Sequence, residues 1–182
     1  MKHSSPADPG LPYDEAIGTI CDNTGKTLKE LSADRRLLVV FLRHAGCTFC
    51  REALSDVSAR RARIEQDGTG LAFVHMSTEP RAREMFQSYG LADLPRFSDP
   101  QQVLYRAFEL KNGSFRQLLG PGVLWRGFYA ALFQRHGFGL PEGNGLRLPG
   151  VFLIHQGKIL RANRLRTAAE RPDYEAMACS TL

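Results

Sequence analysis

Two short stretches of the chain consist almost entirely of apolar side chains, and both have the length of a strand. Residues 37–42 read LLVVFL, and residues 71–76 read LAFVHM. Continuous apolar runs of this length, the first rich in branched side chains, are typical of strands that are buried on both faces of a sheet. We therefore expect both stretches to be strands inside an α/β sheet.

Each of these stretches is followed by a segment with the apolar spacing of a helix. A helix is predicted from Thr48 to Gln66, because apolar residues recur on one face among Arg and Glu; they are Ala53, Leu54, Val57 and Ile64. A second helix is predicted from Glu79 to Tyr89, with Pro80 near its start and Gly90 as its stop.

The rest of the chain predicts shorter elements and an N-terminal arm. Residues 1–14 are rich in Pro, Ser and Gly and are predicted to be mobile, which leaves residues 15–182 as a single domain. The shorter elements are a small hairpin at 19–28, a helical turn at 28–32, an extended edge segment at 95–100, a short helix at 101–108, an apolar helix at 123–133, a hairpin of strands 151–155 and 158–162, and a final helix at 171–179.

This order of elements predicts the fold class. Strands that alternate with helices form a largely parallel sheet with helices on both faces, and a closing hairpin adds antiparallel strands. We expect an α/β protein with a central mixed sheet flanked by helices and a helical insertion before the final β-hairpin.

Composition excludes several classes of protein. Hydrophobic residues make up 43% and charged residues 24% of the chain, which is usual for a folded soluble protein. The formal net charge is +5, and the basic residues are spread along the chain. This favours solvated helix faces over a site for an anionic partner, and no nucleic-acid motif accompanies the charge. The N-terminus lacks the apolar core of a secretory signal and no run could span a membrane, so we expect a cytoplasmic protein with reduced thiols.

The segment FLRHAGCTFC carries the most specific chemistry. It places Cys47 and Cys50 where a buried strand ends and a helix begins. A helix N-terminus stabilises a thiolate, the reactive form of cysteine, through its unpaired N–H groups and partial positive charge. Arg43, His44 and Arg51 are close in sequence and add positive potential.

Three interpretations of the pair compete. A structural zinc site normally needs four Cys or His ligands, whereas Cys21 and Cys179 are isolated and His44 supplies only a third. Two small core residues would not require a turn at a helix start. Redox chemistry between the two thiols fits the position best. We therefore expect no metal. We also expect no organic cofactor, because no phosphate-binding glycine pattern is present.

A proline is the second candidate site feature. Pro149 opens the stretch LPGVFLI, which is predicted to begin a strand after a glycine-rich loop. A cis peptide bond is compatible with a tight entry of this kind, although a trans proline at a strand start is the commoner arrangement.

Several segments together resemble one known family. FLRHAGCTFCREAL is similar to the active-site segment of the thioredoxin fold. More narrowly, it resembles the peroxiredoxin-like branch, also described as alkyl hydroperoxide reductase/thiol-specific antioxidant-like or SelL-related. PRFSDPQQVLYRAFEL, LPGVFLIHQGKIL and RPDYEAM resemble the same family, so that the likeness extends from about Thr19 to Met177.

The resemblance implies a thioredoxin-like fold with Cys47 and Cys50 at its active site. It also implies that Pro149 matches the cis-proline that faces the pair. As in thioredoxins, Cys47 would attack and Cys50 would resolve. In true peroxiredoxins a Thr stands at the position of Cys47, and the cysteine that attacks peroxide matches Cys50. The Pro and Thr of their signature are absent here.

The expected activity is therefore thiol–disulfide exchange through a Cys47–Cys50 redox pair. Peroxide reduction led by Cys50 is the alternative, and a non-catalytic binding module is a third. Arg43, His44, Thr48 and Pro149 are the supporting residues. The expected partners are a disulfide or peroxide substrate and a thiol reductant such as thioredoxin or glutathione, and a homodimer is compatible with the sequence.

Overall fold

The computed structural model describes residues 10–44, 47–113 and 147–179. The strands there are β1 (Leu37–Phe41), β2 (Gly70–His75), β3 (Arg96–Ser98), β4 (Gly150–His155) and β5 (Lys158–Arg164). The helices there are α1 (Tyr13–Ala16), α2 (Leu28–Leu31), α3 (Thr48–Gln66), α4 (Glu79–Ser88), α5 (Val103–Ala107) and α6 (Tyr174–Ala178).

The strands form one five-stranded sheet in the order β3-β2-β1-β4-β5. β1 is parallel to β2, and β2 is parallel to β3, so α3 and α4 are the crossover helices between them. β4 runs antiparallel to both β1 and β5. The predicted central mixed sheet with flanking helices is confirmed.

Residues of β1 alternate between two hydrophobic cores, one on each face of the sheet. Leu37, Val39 and Phe41 face the core that α1, α2 and α5 cover. Leu38 and Val40 face the core that α3, α4 and α6 cover. Because both faces of the strand are covered, every one of its residues is buried, as its continuous apolar run predicts.

Local signals position the hairpin and the crossovers. Gln156 and Gly157 both have positive φ values, 51° and 70°, which is the geometry of a tight two-residue hairpin turn. Gly90 has a φ of 69° and follows Tyr89, the C-cap residue of α4, where its lack of a side chain allows the left-handed conformation that ends a helix.

Two predictions near the N-terminus differ from the structure. The predicted hairpin at 19–28 is a single bridge between Cys21 and Thr27 rather than two strands. The Asp22 carboxylate closes the turn between them by accepting from the N–H groups of Thr24 at 2.8 Å and Lys26 at 2.9 Å. The helix α1 was not predicted and begins at Tyr13, inside the predicted arm.

Two further predictions lie outside the described residues. These are the apolar helix at 123–133 and the mobility of residues 1–9. Among the helices in the described ranges, none is long and apolar enough to cross a membrane.

Candidate active site

Cys47 and Cys50 lie at the start of α3, beside the end of β1. Cys47 is the N-cap residue of α3, and Cys50 is in its first turn. The side chains are almost fully buried, with exposed fractions of 6% for Cys47 and 4% for Cys50. Both are free thiols and are not joined by a disulfide. The structure thus brings the two predicted thiols close together without a bond between them.

Arg43 contacts both sulfur atoms. Its backbone N–H donates to Cys50 Sγ at 3.1 Å. Its guanidinium Nη1 lies 3.7 Å from Cys47 Sγ. A fixed cation beside a buried sulfur favours the thiolate over the thiol. The sequence predicted the charge of Arg43, whereas its backbone contact with the second thiol could not be anticipated.

The pKa of Cys47 is lowered from 9.0 to about 6. The largest cause is a hydrogen bond from the Cys50 side chain, which opposes the desolvation by burial, and the Arg43 guanidinium also contributes. The N–H groups of Phe49 and Cys50 lower the pKa further, although the sulfur makes no cap hydrogen bond within the usual geometric limits. We attribute this to the field of the helix N-terminus.

The pKa of Cys50 is raised well above 9.0. Burial is the largest cause, followed by the hydrogen bond to Cys47 and the negative charge of that residue. When the pair holds a single proton, that proton is therefore on Cys50. The Cys50 thiol then donates a hydrogen bond to the Cys47 thiolate.

A narrow cleft opens beside Cys50, with a volume of about 30 Å³ that water-sized molecules can occupy. Arg43, Phe49, Pro149 and Tyr174 line it together with Cys50. The predicted proximity of Pro149 to the cysteine site is therefore present. The cleft is mainly apolar.

The peptide bond before Pro149 is trans, since the described residues contain no cis peptide bond. The cis-proline that the resemblance implied is therefore not found. The trans isomer of an X–Pro bond is favoured by about 0.5–1 kcal/mol unless the surroundings select cis. Here the Pro149 carbonyl accepts the Leu165 N–H at 3.2 Å, which holds the entry to β4 in place.

His44 and Thr48 are both buried beside the pair. His44 is 6% exposed, and its backbone carbonyl accepts the Cys47 N–H at 3.0 Å. Thr48 is the first residue of α3 and is 5% exposed. This backbone contact of His44 fixes the start of the helix.

A charged cluster behind the pair was not predicted. Glu52 lies on α3 and is 4% exposed, yet it forms an ion pair with Arg171 at 3.3 Å. Arg171 also binds Asp56 at 2.8 Å. These contacts join α3 to the segment before α6. The helix α6 carries the cleft residue Tyr174. The partners are far apart in sequence, so only the acidic and basic residues themselves could have indicated the cluster.

The other two cysteines lie apart from this arrangement. Cys21 and Cys179 are both exposed. Cys179 ends α6, with its sulfur 3.9 Å from Asp67 Oδ2. Within the described ranges no group of three His, Cys, Asp or Glu side chains could hold a metal ion.

The sequence matches the profile of one protein family, described as AhpC/TSA antioxidant enzyme, over residues 56–166. The chain belongs to this family. The matched region begins beyond Cys50, so the assignment rests on the body of the fold rather than on the cysteine pair.

Curated relatives carry the name peroxiredoxin-like 2A. The Xenopus tropicalis protein is 32% identical over 152 residues, which cover 82% of this chain and 64% of the relative. The Mus musculus protein is 30% identical over 146 residues, covering 79% of this chain and 64% of the relative. The chain thus spans less than two thirds of the length of these relatives.

Solved peroxiredoxin structures share the fold. Bacterioferritin comigratory protein of Xanthomonas campestris superposes with a TM-score of 0.57 at 16% identity, covering 85% of this chain and 86% of that one. Peroxiredoxin 6 of Arenicola marina gives a TM-score of 0.60 at 10% identity, covering 87% of this chain and 66% of that one. At these identities the similarity establishes the thioredoxin-like fold of the peroxiredoxins.

Proposed function

We propose that this chain is a thiol-dependent oxidoreductase in which Cys47 attacks and Cys50 resolves, with thiol–disulfide exchange as its reaction. The observation that carries the proposal is the division of roles between the two sulfurs. Cys47 has a lowered pKa and lies beside a guanidinium group. Cys50 has a raised pKa, and its thiol donates a hydrogen bond to the sulfur of Cys47. A nucleophile needs a thiolate near neutral pH, and a resolving group must stay protonated until it is used.

The exchange has two steps. The Cys47 thiolate attacks one sulfur of a substrate disulfide, a new S–S bond forms, and the other substrate sulfur leaves as a thiolate. Cys50 then loses its proton and attacks Cys47, which releases the second substrate thiol and leaves the Cys47–Cys50 disulfide. The substrate gains two electrons and the protein loses two.

Peroxide reduction is a second candidate, which family membership and the peroxiredoxin-like relatives favour. The Cys47 thiolate would attack one peroxide oxygen, the O–O bond would break, and the leaving oxygen would take a proton as water or alcohol. The Cys50 thiol would then attack the sulfenic acid of Cys47, releasing water and closing the same disulfide. Cys47 rather than Cys50 leads here too, because the raised pKa of Cys50 disfavours it as a nucleophile.

Both reactions end in one disulfide, which a thiol reductant of the thioredoxin or glutathione type would return to two thiols. The cleft lined by Phe49 and Pro149 reaches the resolving thiol of Cys50, and Cys47 is not among its lining residues.

The experiment that tests this proposal is a trapping series with wild-type protein, Cys47→Ser and Cys50→Ser. Each reduced protein is mixed with oxidised glutathione or with hydrogen peroxide, and the products are mapped by mass spectrometry. We expect Cys50→Ser to accumulate a mixed disulfide or a sulfenic acid on Cys47. We expect wild-type protein to close the Cys47–Cys50 disulfide, and Cys47→Ser to react slowly with either oxidant.

The two candidates separate by rate. An exchange enzyme should react fast with the disulfide, and its reaction with peroxide should be no faster than that of a free thiol. A peroxidase should react fast with peroxide, and its reaction with the disulfide should be no faster than that of a free thiol. Trapping on Cys50 in the Cys47→Ser protein that is faster than trapping on Cys47 in the Cys50→Ser protein would refute the assigned order. If the protein reacts with both oxidants no faster than a free thiol does, the result supports a non-catalytic binding module.

A further inference from the structure

A buried tyrosine contacts the end of β1 from the side of the sheet opposite to the cysteines. Tyr105 lies on α5 and is fully buried. Its hydroxyl donates to the carbonyl oxygen of Leu42, with the carbonyl oxygen of Val74 at 3.2 Å as a second acceptor. Leu42 and Val74 are themselves joined by a backbone hydrogen bond of 2.8 Å. The hydroxyl therefore holds the ends of two adjacent strands where the active-site segment leaves the sheet.

The Leu42 carbonyl belongs to the same peptide unit as the Arg43 N–H, which donates to Cys50 Sγ at 3.1 Å. A peptide unit is planar, so fixing its oxygen also fixes the direction of its N–H. A hydrogen bond accepted by the C=O polarises the unit and makes its N–H a better donor. The tyrosine hydroxyl, the peptide and the sulfur form one continuous chain of hydrogen bonds.

We propose that Tyr105 is a positioning residue for Cys50, acting through the Leu42–Arg43 peptide to orient and strengthen the N–H that binds the sulfur. This deepens the function proposed above and rests on it for its role in turnover, because Cys50 must become a thiolate when it resolves the intermediate. The Arg43 N–H, which stabilises the negative charge on the Cys50 sulfur, is then already in place.

Packing holds Tyr105 firmly enough for this role. Its ring meets Phe41 edge to face, with the ring centres 5.1 Å apart. Asp99 accepts the N–H groups of Val103 at 2.9 Å and Leu104 at 2.8 Å, which fixes the start of α5 just before the tyrosine. The hydroxyl has little freedom to leave the strand ends.

The ionisable groups that act on Cys50 include Cys47, Arg43, Tyr105 and Tyr174. Burial is the largest cause that raises the pKa of Tyr105, and the charges of Asp99 and Cys50 raise it further. Replacing Cys47 by Ser removes the strongest ionisable neighbour and leaves the effect of the relay to be read on Cys50 alone.

The test is an NMR titration of the Cys50 Cβ in the Cys47→Ser protein, with and without Tyr105→Phe. This substitution keeps the ring and removes only the hydroxyl. We expect the pKa of Cys50 to rise by about 0.3–0.6 units, since polarisation by one hydrogen bond strengthens the next by about 10–30%. At a fixed pH below the pKa, the thiolate fraction should fall about two- to fourfold.

Tyr13→Phe is the matched control. Tyr13 packs on Phe108 in the same aromatic group, with ring centres 5.1 Å apart. Its buried hydroxyl has no hydrogen-bond partner among the described residues. Removing it should leave the pKa of Cys50 unchanged. A second control titrates Cys47 in the Cys50→Ser protein, where Tyr105→Phe should have no effect.

The proposal is overturned if Tyr105→Phe leaves the pKa of Cys50 unchanged, or if Tyr13→Phe raises it equally. An equal rise for Cys47 would indicate general loosening and would also overturn it. If Tyr105→Phe does not fold, 3-fluorotyrosine at position 105 decides: this stronger donor should lower the pKa of Cys50, and no change would refute the relay. The titration uses no substrate, so its failure and a failure of turnover are distinguishable.

Discussion

The guanidinium Nη1 of Arg43 lies 3.7 Å from the sulfur of Cys47, at the N-terminus of α3. This contact links the segment that follows β1 to the N-cap residue of α3. It places a permanent positive charge beside the thiol that the proposed reaction uses first.

The first prediction concerns that charge. Arg43→Gln should raise the pKa of Cys47 by about one unit, because an adjacent cation favours the thiolate. Arg43→Lys should raise it less, since the charge is kept. The measurement is a pH titration of the ultraviolet absorbance of the thiolate. Arg63→Gln is the control, because this exposed α3 residue lies near the other end of the helix. An unchanged pKa in Arg43→Gln would contradict the assigned role.

The second prediction concerns the hydrogen bond between the thiols. It is the largest cause of the lowered pKa of Cys47. Cys50→Ala should therefore return this pKa toward 9.0 by more than Arg43→Gln does. Cys50→Ser should have a smaller effect than Cys50→Ala, because a hydroxyl still donates. The same titration applies, and equal values for the two variants would show that the hydrogen bond is unimportant.

The third prediction is a pH dependence of stability in the reduced protein. The folded pKa of Cys47 is below its ordinary value of 9.0, so the folded state binds fewer protons than the unfolded state between about pH 6 and that value. The contribution is complete above the ordinary pKa, falls as the pH falls, and is lost below about pH 6. Its slope approaches about 1.4 kcal/mol per pH unit.

Urea unfolding of reduced wild-type protein and Cys47→Ser at several pH values measures this contribution. The difference in free energy of unfolding should grow with pH across the window. A difference that is constant with pH would mean that Cys47 is not ionised in the folded protein.

The fourth prediction concerns Gly150, at the start of β4 beside Pro149. An added Cβ would lie 2.7 Å from Leu110 Cδ2 and 2.9 Å from Phe152 Cε2, closer than atoms can pack. Gly150→Ala should destabilise the protein by about 1–3 kcal/mol through overpacking. Gly18→Ala is the control, since its nearest neighbour would be at 3.6 Å, and it should change stability by less than about 0.5 kcal/mol. Thermal unfolding distinguishes them, and equal stability would contradict the packing described.

Periodicity predicted the main elements because β1 and α3 each have one dominant local signal. The apolar run of β1 reflects burial on both faces, and the helix from Thr48 to Gln66 has the predicted bounds. The short helix α1 was missed because four residues carry too little periodicity, and it is stabilised by packing of Tyr13 on Phe108.

The candidate site was only partly predictable. The spacing of Cys47 and Cys50 and their position at a helix start were readable, because both are local. The contact of Tyr105 with Leu42 joins residues far apart in the chain, and so only the folded sheet reveals it. The cis peptide bond before Pro149 was expected from the resemblance to the fold family, and this chain has a trans bond there instead.

The most direct test of the central claim is a competition between the two thiols for one alkylating reagent. Reduced wild-type protein is treated with limiting iodoacetamide across a range of pH, and the labelled peptides are quantified by mass spectrometry. The account predicts that Cys47 is labelled first, with half-maximal rate near pH 6, the pKa at which it ionises. Labelling of Cys50 before Cys47, or a midpoint near the ordinary value of 9.0, would contradict it.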